Sequence, residues 1–507
     1  MISIDHIPKY KLQVSKSEQD VFALAKTYFD CKEFDRCAHV LKNCKSQDVL
    51  FIRLYAMFLS GEKKKEEESE GVLGLHDHSS VNTSVSLILK ELESILEQEP
   101  NGLKSPFLNW LHGVVLVKHK SMAAAKDAFI RSLAQYPYNW SCWAELLFCL
   151  PTFGEGMDVL SSLELQFQDN FAELIMLKFA KVVINQQCFQ QTAELKTMLD
   201  SLIVKFPKFS FLKTQHALIC YHALKYNIAE ELFDEILVND PLRLDEMDIY
   251  SNILYVMDKR SKLAFLAQFA CAIDKFRPET CCIVANYYSM KFEHEKAIMY
   301  YRRALTLNRN SLSAWTLMGH EFVELKNTHA AIESYRRAVD TNYKDFKAWY
   351  GLGQAYEILD MHLYSLYYYQ KAASLNPLDQ RVWEALGNCY EKLDKIRDSI
   401  TCYQKAINLN EVKNVSHLYK LALLYEKLQD PAKTYDYMFQ CYQEEINEGV
   451  RNDETAKARL WLAKYETRNQ NWEAAHKYAV DLTHGTGQEI EEARAVARET
   501  RNRINLQ

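Results

Sequence analysis

Acidic and aromatic side chains that could hold a positively charged peptide are concentrated between residues 345 and 395. Glu357, Glu384 and Glu391 supply carboxylates, and Tyr350 supplies an aromatic ring among them. Carboxylates form charge-assisted hydrogen bonds with arginine, and an aromatic ring offers apolar surface to a neighbouring side chain. The chemistry expected of this combination is binding of an extended peptide that contains an arginine and an apolar residue. For any single residue, the alternative is a polar helix surface in contact with solvent.

No catalytic motif accompanies these residues. The sequence has no G-x-x-x-x-G-K-[ST] phosphate loop, no H-E-x-x-H zinc helix and no G-x-S-x-G nucleophile turn. Cys281 and Cys282 are adjacent rather than spaced as C-x-x-C, and His76 and His78 offer only two ligands in a polar segment. The absence of these motifs does not by itself exclude an enzyme, but a chain almost filled by the repeat described next leaves no room for a catalytic domain. We therefore expect a protein that is not an enzyme and that uses no cofactor and no metal.

A repeat of 34 residues determines where these side chains lie. Trp315, Trp349 and Trp383 are one repeat apart, and leucine, glycine, tyrosine and alanine positions keep the same step. The pattern W-x2-L-G-x2-Y, followed by [AS]-x3-Y-x2-A, is the tetratricopeptide repeat signature. Spacings of three and four residues place each set on one helix face, so each repeat is predicted to be a pair of helices. One pair cannot bury both of its faces, so the pairs must stack on one another.

The composition favours helix nearly throughout the chain. Glycine and proline number 14 and 10 among 507 residues, whereas typical usage is roughly 7% and 5%. We predict an all-α tetratricopeptide superhelix, an α-α solenoid, of about 12–13 helical hairpins. The formal net charge of −6 provides no general attraction for nucleic acid or for an anionic membrane. Neither is expected as a partner.

Departures from the repeat divide the chain into four predicted segments. Residues 1–170 hold N-terminal repeats and include a polar insertion at 61–80, which is expected to be a loop within the second hairpin. Residues 171–277 hold degenerate central repeats. Residues 278–484 form the C-terminal superhelix with the peptide-binding groove, and residues 485–507 form a terminal helix or tail.

The groove is expected where the first helices of the C-terminal hairpins share one face. Tetratricopeptide domains that bind chaperones grip a C-terminal carboxylate with lysine, arginine and asparagine at such positions. The fifth position of the repeat here is Cys282, Thr316, Tyr350 and Glu384 instead. This argues against a co-chaperone that binds C-terminal peptides, which remains the alternative function. A third possibility, an enzyme with attached repeats, would require a catalytic domain outside the repeat array.

Several stretches exceed the general repeat pattern and resemble one family. ETCCIVANYYS, SAWTLMGHEF, KAWYGLGQAYEIL, LYYYQKAASLNP and the leading DVFALAKTYFDCKEFDRCAHVL are similar to the eighth subunit of the anaphase-promoting complex, or cyclosome. The resemblance covers nearly the whole chain. It implies a non-catalytic scaffold of a ubiquitin ligase that drives exit from mitosis, located in nucleus and cytoplasm. It also implies a homodimer formed through the N-terminal repeats and packed against related tetratricopeptide subunits and a large platform subunit.

The resemblance further implies a ligand for the groove. In this family the C-terminal superhelix receives the C-box of a coactivator, a short basic and apolar peptide containing Arg-Tyr/Phe-Ile-Pro. That expectation agrees with the acidic and aromatic character of the groove residues. It is assigned here to seven residues: Asn286, Glu321, Tyr350, Gln354, Glu357, Glu384 and Asn388.

Overall fold

The computed structural model describes residues 14–68, 81–98, 103–150, 152–167, 171–190, 192–409, 414–449, 451–480, 482 and 484–504. Within these ranges the chain forms 27 α-helices and no β-strand. This confirms the predicted all-α tetratricopeptide fold, because most consecutive helices pack against each other and their number equals 13 pairs and one further helix. Among the described residues, none of the helices has both the length and the apolar character needed to span a bilayer.

The chain forms two compact units, one ending at Ala314 and one beginning at Trp315. The helices of the first unit are α1 (Gln19–Asp30), α2 (Phe34–Val40), α3 (Gln47–Glu68), α4 (Ser84–Gln98), α5 (Pro106–Lys118), α6 (Met122–Gln135), α7 (Trp140–Cys149), α8 (Phe153–Gln166), α9 (Phe171–Gln187), α10 (Ala193–Lys205), α11 (Ser210–His222), α12 (Tyr226–Asn239), α13 (Met247–Val256), α14 (Arg260–Ile273), α15 (Pro278–Met290) and α16 (His294–Leu307). The boundary falls within the next helix, and the remaining helices are α17 (Leu312–Glu324), α18 (Thr328–Thr341), α19 (Phe346–Ile358), α20 (His362–Leu375), α21 (Gln380–Lys392), α22 (Ile396–Asn408), α23 (Val415–Lys427), α24 (Pro431–Glu448), α25 (Asp453–Arg468), α26 (Trp472–Val480) and α27 (Gly487–Ile504).

One tyrosine forms the centre of each hairpin that follows the repeat signature most closely. Tyr335, Tyr369 and Tyr403 have no exposed surface. Each ring lies against the glycine of its first helix, so that a Cβ atom at Gly353 would be 2.5 Å from the ring of Tyr369 and one at Gly387 would be 3.0 Å from that of Tyr403. The glycine recurs every 34 residues because the ring occupies the space that a side chain would need.

The signature tryptophan has a different role, at the connection between hairpins. The indole nitrogen of Trp349 donates to the carbonyl of Tyr343 at 2.9 Å, and that of Trp383 donates to the carbonyl of Pro377 at 2.8 Å. In both cases the acceptor lies six residues earlier, in the turn that precedes the helix. The tryptophan therefore ties the start of each of these two hairpins to the turn before it.

The turn inside most of the described hairpins uses a left-handed residue that is not glycine. Six of these residues, with φ between 52° and 62°, follow one another at intervals of 34: Leu224, Asp258, Phe292, Lys326, Asp360 and Asp394. The amide that follows closes the helix end, as where Met361 N–H donates to the carbonyl of Tyr356 at 2.9 Å. The repeat thus makes left-handed turns without glycine, which explains the low glycine content.

The prediction of a loop over residues 61–80 was wrong at its start. Residues 61–68 continue α3, which ends at Glu68. Lysine and glutamate are strong helix formers, and Lys63 and Glu67 form an ion pair one turn apart at 3.8 Å. Gly61 is buried against the side chain of Asn82, whose amide donates to the carbonyl of Phe58. Residues 69–80, with His76 and His78, lie outside the described residues.

The predicted terminal helix is α27. Ala493 and Thr500 face α25 and α26 and are essentially unexposed, at 1% and 0%. The imidazole of His476 on α26 lies 3.1 Å from the hydroxyl of Thr500, which ties the two helices together. The last residues, 505–507, lie outside the described residues, and the other predicted segment boundaries stay predictions.

Candidate peptide-binding groove

The first helices of the hairpins in the second unit lie side by side. Side-chain contacts one repeat apart join α19 to α21 and α21 to α23. We call the polar surface formed by these three helices the groove face. Its members are Tyr350, Gln354 and Glu357 of α19, Glu384, Asn388, Glu391 and Lys392 of α21, and Lys420 and Lys427 of α23.

The α19 part of the groove face contains an aromatic ring, an amide and a positioned carboxylate. The Tyr369 hydroxyl donates to Glu357 Oε2 at 2.8 Å. Burial and the neighbouring Glu357 carboxylate raise the pKa of Tyr369 well above its ordinary value, so the hydroxyl remains a donor at neutral pH. The ring of Tyr350 lies 5.5 Å from that of Tyr369, inclined by 45°. Gln354 is half-buried, and its side chain forms no hydrogen bond with any described residue.

Gln354 differs from the equivalent residues of the two flanking hairpins in having no hydrogen bond to the core tyrosine. In each of them the equivalent residue bonds the core tyrosine, since Tyr335 Oη lies 2.8 Å from His320 Nδ1 and the Tyr403 hydroxyl donates to Asn388 Oδ1 at 2.5 Å. Burial lowers the pKa of His320 to about 4, so its ring is neutral and can accept this hydrogen bond. In the hairpin between them the tyrosine uses a glutamate as its acceptor. Gln354 is thereby released from the structural role of its counterparts.

A second cluster surrounds Glu384 at the contact between α21 and α23. One carboxylate oxygen lies 3.2 Å from His417 Nε2, and the other lies 3.6 Å from Lys420 Nζ. The same lysine donates to Asn388 Oδ1 at 3.2 Å and lies over the ring of Tyr403 at 5.6 Å. The His417 nitrogen, followed by the Lys420 ammonium, lowers the pKa of Glu384. The carboxylate of Glu384 is therefore ionised at neutral pH and is already paired with the ammonium of Lys420.

The other two glutamates of the groove face also form ion pairs with lysines, in each case on the first helix of the next hairpin. Lys392 Nζ lies 2.9 Å from Glu357 Oε1, and Lys427 Nζ lies 2.7 Å from Glu391 Oε1. The sequence predicted an acidic groove. In the structure each glutamate of the groove face is paired with a lysine, so the groove face is charge-balanced. The expectation considered residues within one repeat, whereas the partners lie 35 and 36 residues further along the chain. A lysine one repeat and one or two residues after each glutamate is the sequence signal that could have revealed them.

The two remaining predicted residues are buried. Asn286 lies in the first unit, is 3% exposed, and donates from Nδ2 to Ser251 Oγ and Asn252 Oδ1, both at 2.6 Å. The Tyr301 hydroxyl donates to its Oδ1, so the amide is engaged within that unit. Glu321 is 5% exposed. The structure therefore brings together five of the seven predicted residues, those on α19 and α21.

Comparison with known proteins identifies relatives for the sequence and for the fold. The family model described as anaphase promoting complex subunit 8 / Cdc23 matches residues 3–217, and tetratricopeptide models match residues 278–311, 316–360 and 380–413. The chain is 46% identical to the anaphase-promoting complex subunit CDC23 of Saccharomyces cerevisiae, over 98% of this chain and 88% of that protein. It is 38% identical to the anaphase-promoting complex subunit 8 of Dictyostelium discoideum, over 97% and 88% of the two chains.

A solved structure has the same fold. The crystal structure of the APC/C hetero-tetramer Cut9-Hcn1 matches with a TM-score of 0.64, over 96% of this chain and 91% of that chain. The sequence identity is 17%, so this likeness concerns the fold alone.

Proposed function

Because this chain belongs to the anaphase-promoting complex subunit 8 / Cdc23 family of tetratricopeptide scaffold subunits, we propose that it acts without catalysis and that its groove face binds the C-box peptide of a coactivator. In this role the chain recruits the coactivator to the ubiquitin ligase and so contributes to the control of mitotic progression. The ligand is a short extended segment with an arginine and an apolar residue.

The single observation that supports this function is the arrangement of Tyr350, Gln354 and Glu357 on consecutive turns of α19. Glu357 is oriented by Tyr369 and accepts the guanidinium of the peptide arginine in a bidentate pair. Tyr350 provides apolar surface for the neighbouring peptide side chain. The side-chain amide of Gln354 forms hydrogen bonds with the peptide backbone, because an extended segment leaves its backbone N–H and C=O groups without partners of their own.

The test measures binding of a labelled Arg-Tyr-Ile-Pro peptide to the full chain. Glu357→Gln retains an oxygen acceptor for Tyr369 but removes the charge, and we expect it to weaken binding about tenfold or more. Glu333→Gln is the matched control, because Glu333 pairs with Arg337 on α18 and lies outside the groove face. Equal binding by both variants would refute the assignment. A peptide ending in Glu-Glu-Val-Asp tests the co-chaperone alternative and is expected not to bind.

We further propose the assembly role that belongs to this family. The N-terminal repeats, residues 1–170, form a homodimer, and the chain packs against other tetratricopeptide subunits and the large platform subunit of the complex. The family match over residues 3–217 supports assigning this role to the N-terminal part. The protein would act in nucleus and cytoplasm, with neither nucleic acid nor membrane as a partner. In this proposal residues 171–277 are the central repeats, residues 278–484 are the C-terminal superhelix, and α27, which packs against α25 and α26, is the terminal helix.

A further inference from the structure

We infer that Lys392 is a built-in competitor for the groove: it occupies Glu357 in the free protein and must be displaced by the arginine of an incoming peptide. Peptide binding is then an exchange of one cation for another, and the internal lysine sets how weak that binding is. This inference rests on the proposed function, and it names a residue that regulates the same site.

Both oxygens of the Glu357 carboxylate have partners in the free protein. Oε2 accepts the hydroxyl of Tyr369 at 2.8 Å, and Oε1 accepts Lys392 Nζ at 2.9 Å. The carboxylate side chain is 24% exposed and that of the lysine is 46% exposed. Pairing with Glu357 raises the pKa of Lys392, so the ammonium is charged at neutral pH. An incoming guanidinium therefore finds a neutralised carboxylate rather than a vacant one.

The same arrangement is repeated at the next step of the array. Glu391 stands one repeat after Glu357, and it pairs with Lys427, which stands 35 residues after Lys392. The side chain of Lys427 is 53% exposed. In both pairs the carboxylate is on one first helix and the lysine is on the next. A pair that recurs at equivalent positions belongs to the construction of the groove face.

The two partners of Glu357 differ in how easily they can leave. Tyr369 is fully buried, so its hydroxyl cannot move to solvent and continues to orient the carboxylate. Lys392 has a flexible, half-exposed stem, and its ammonium regains full hydration when it swings away. Because an exposed ion pair contributes little to stability, breaking the pair between Lys392 and Glu357 costs little free energy. A guanidinium gains over the lysine because its planar fork can form two parallel hydrogen bonds with the carboxylate.

The first experiment removes the competitor in the full-length protein. Lys392→Met keeps the aliphatic stem and loses the charge, and Lys395→Met removes an equal charge from an exposed residue that precedes α22. Binding of the labelled Arg-Tyr-Ile-Pro peptide is measured by fluorescence anisotropy. We expect Lys392→Met to bind about two- to fivefold more tightly than the wild type, since exposed ion pairs have this strength. Lys395→Met should match the wild type.

Each outcome of this comparison decides the question. Unchanged or weaker binding by Lys392→Met overturns the inference and leaves the proposed function intact. Equal tightening in both variants assigns the effect to net charge and also overturns it. Absence of binding by the wild type and by both variants refutes the proposed function itself, and the inference falls with it.

A second experiment follows Lys392 directly. The wild-type protein is acetylated briefly with and without saturating peptide, and modification of Lys392 is measured by mass spectrometry relative to Lys395. Release into solvent predicts a higher ratio in the presence of peptide. A lower ratio would mean that the peptide covers Lys392 without displacing it, contrary to the exchange.

Discussion

Replacing Gly353 by alanine tests whether the core tyrosine both stabilises its hairpin and positions the groove-face glutamate. A Cβ atom at this position would lie 2.5 Å from two ring atoms of Tyr369, whose side chain has no exposed surface. This is inside van der Waals contact, so the ring or α19 must shift. Because the hydroxyl of this ring donates to Glu357, the shift also moves the hydrogen bond that orients the carboxylate.

The expected magnitude follows from two opposing effects. Overpacking a well-packed core costs about 1–3 kcal/mol, and alanine in place of glycine inside a helix returns about 1 kcal/mol. The net loss at Gly353 is therefore up to about 2 kcal/mol. At Gly387 the new Cβ would lie 3.0 Å from the nearest ring atom of Tyr403, so a shift of a few tenths of an ångström relieves it and the change should be nearly neutral. At Gly154 in α8 no atom lies within 4 Å, and alanine should stabilise slightly.

The assay is hydrogen exchange of the full chain followed by mass spectrometry, which reports the free energy of local opening. Gly353→Ala should lower protection in α19 and α20 and weaken binding of the Arg-Tyr-Ile-Pro peptide. Gly387→Ala should leave protection of its own hairpin almost unchanged, and Gly154→Ala should raise protection in α8. If α19 and α20 are as well protected in Gly353→Ala as in the wild type, the close contact between glycine and ring does not hold the hairpin together.

Two further predictions concern pH and backbone strain. Burial lowers the pKa of His320 to about 4 from an ordinary value near 6.5, so the unfolded chain binds this proton more readily. Its contribution to stability is complete above pH 6.5 and is lost as the pH falls towards 4. His320→Gln should reduce the dependence of the melting temperature on pH over that range, whereas His329→Gln, at an exposed position, should leave it unchanged. The same pH dependence in His320→Gln and in the wild type would contradict the assignment. Phe292, 74% exposed at φ 62°, is a strained turn residue. Phe292→Gly should stabilise the α15–α16 hairpin by about 1 kcal/mol in hydrogen exchange, and a loss would argue against strain there.

Much of the fold was accessible from sequence because the tetratricopeptide repeat is defined by local spacing. Trp349, Gly353 and Tyr369 recur at fixed intervals, and each interval corresponds to a helix face or to a contact inside one hairpin. The segment at 61–68 was the exception. Its charges resembled a solvated loop, but lysine and glutamate also form helix readily, and α3 continues through them.

The same spacing located the groove residues, but it could not predict their hydrogen-bond and ion-pair partners. The sequence by itself determined that Tyr350, Gln354 and Glu357 share one face of a helix, because that follows from helix geometry. Only the tertiary structure decided that Tyr369 takes Glu357 as its acceptor, that Gln354 is left without a partner among the described residues, and that Lys392 neutralises the carboxylate. These outcomes depend on how neighbouring helices are aligned. That alignment is set by packing between hairpins rather than by residue order within one of them.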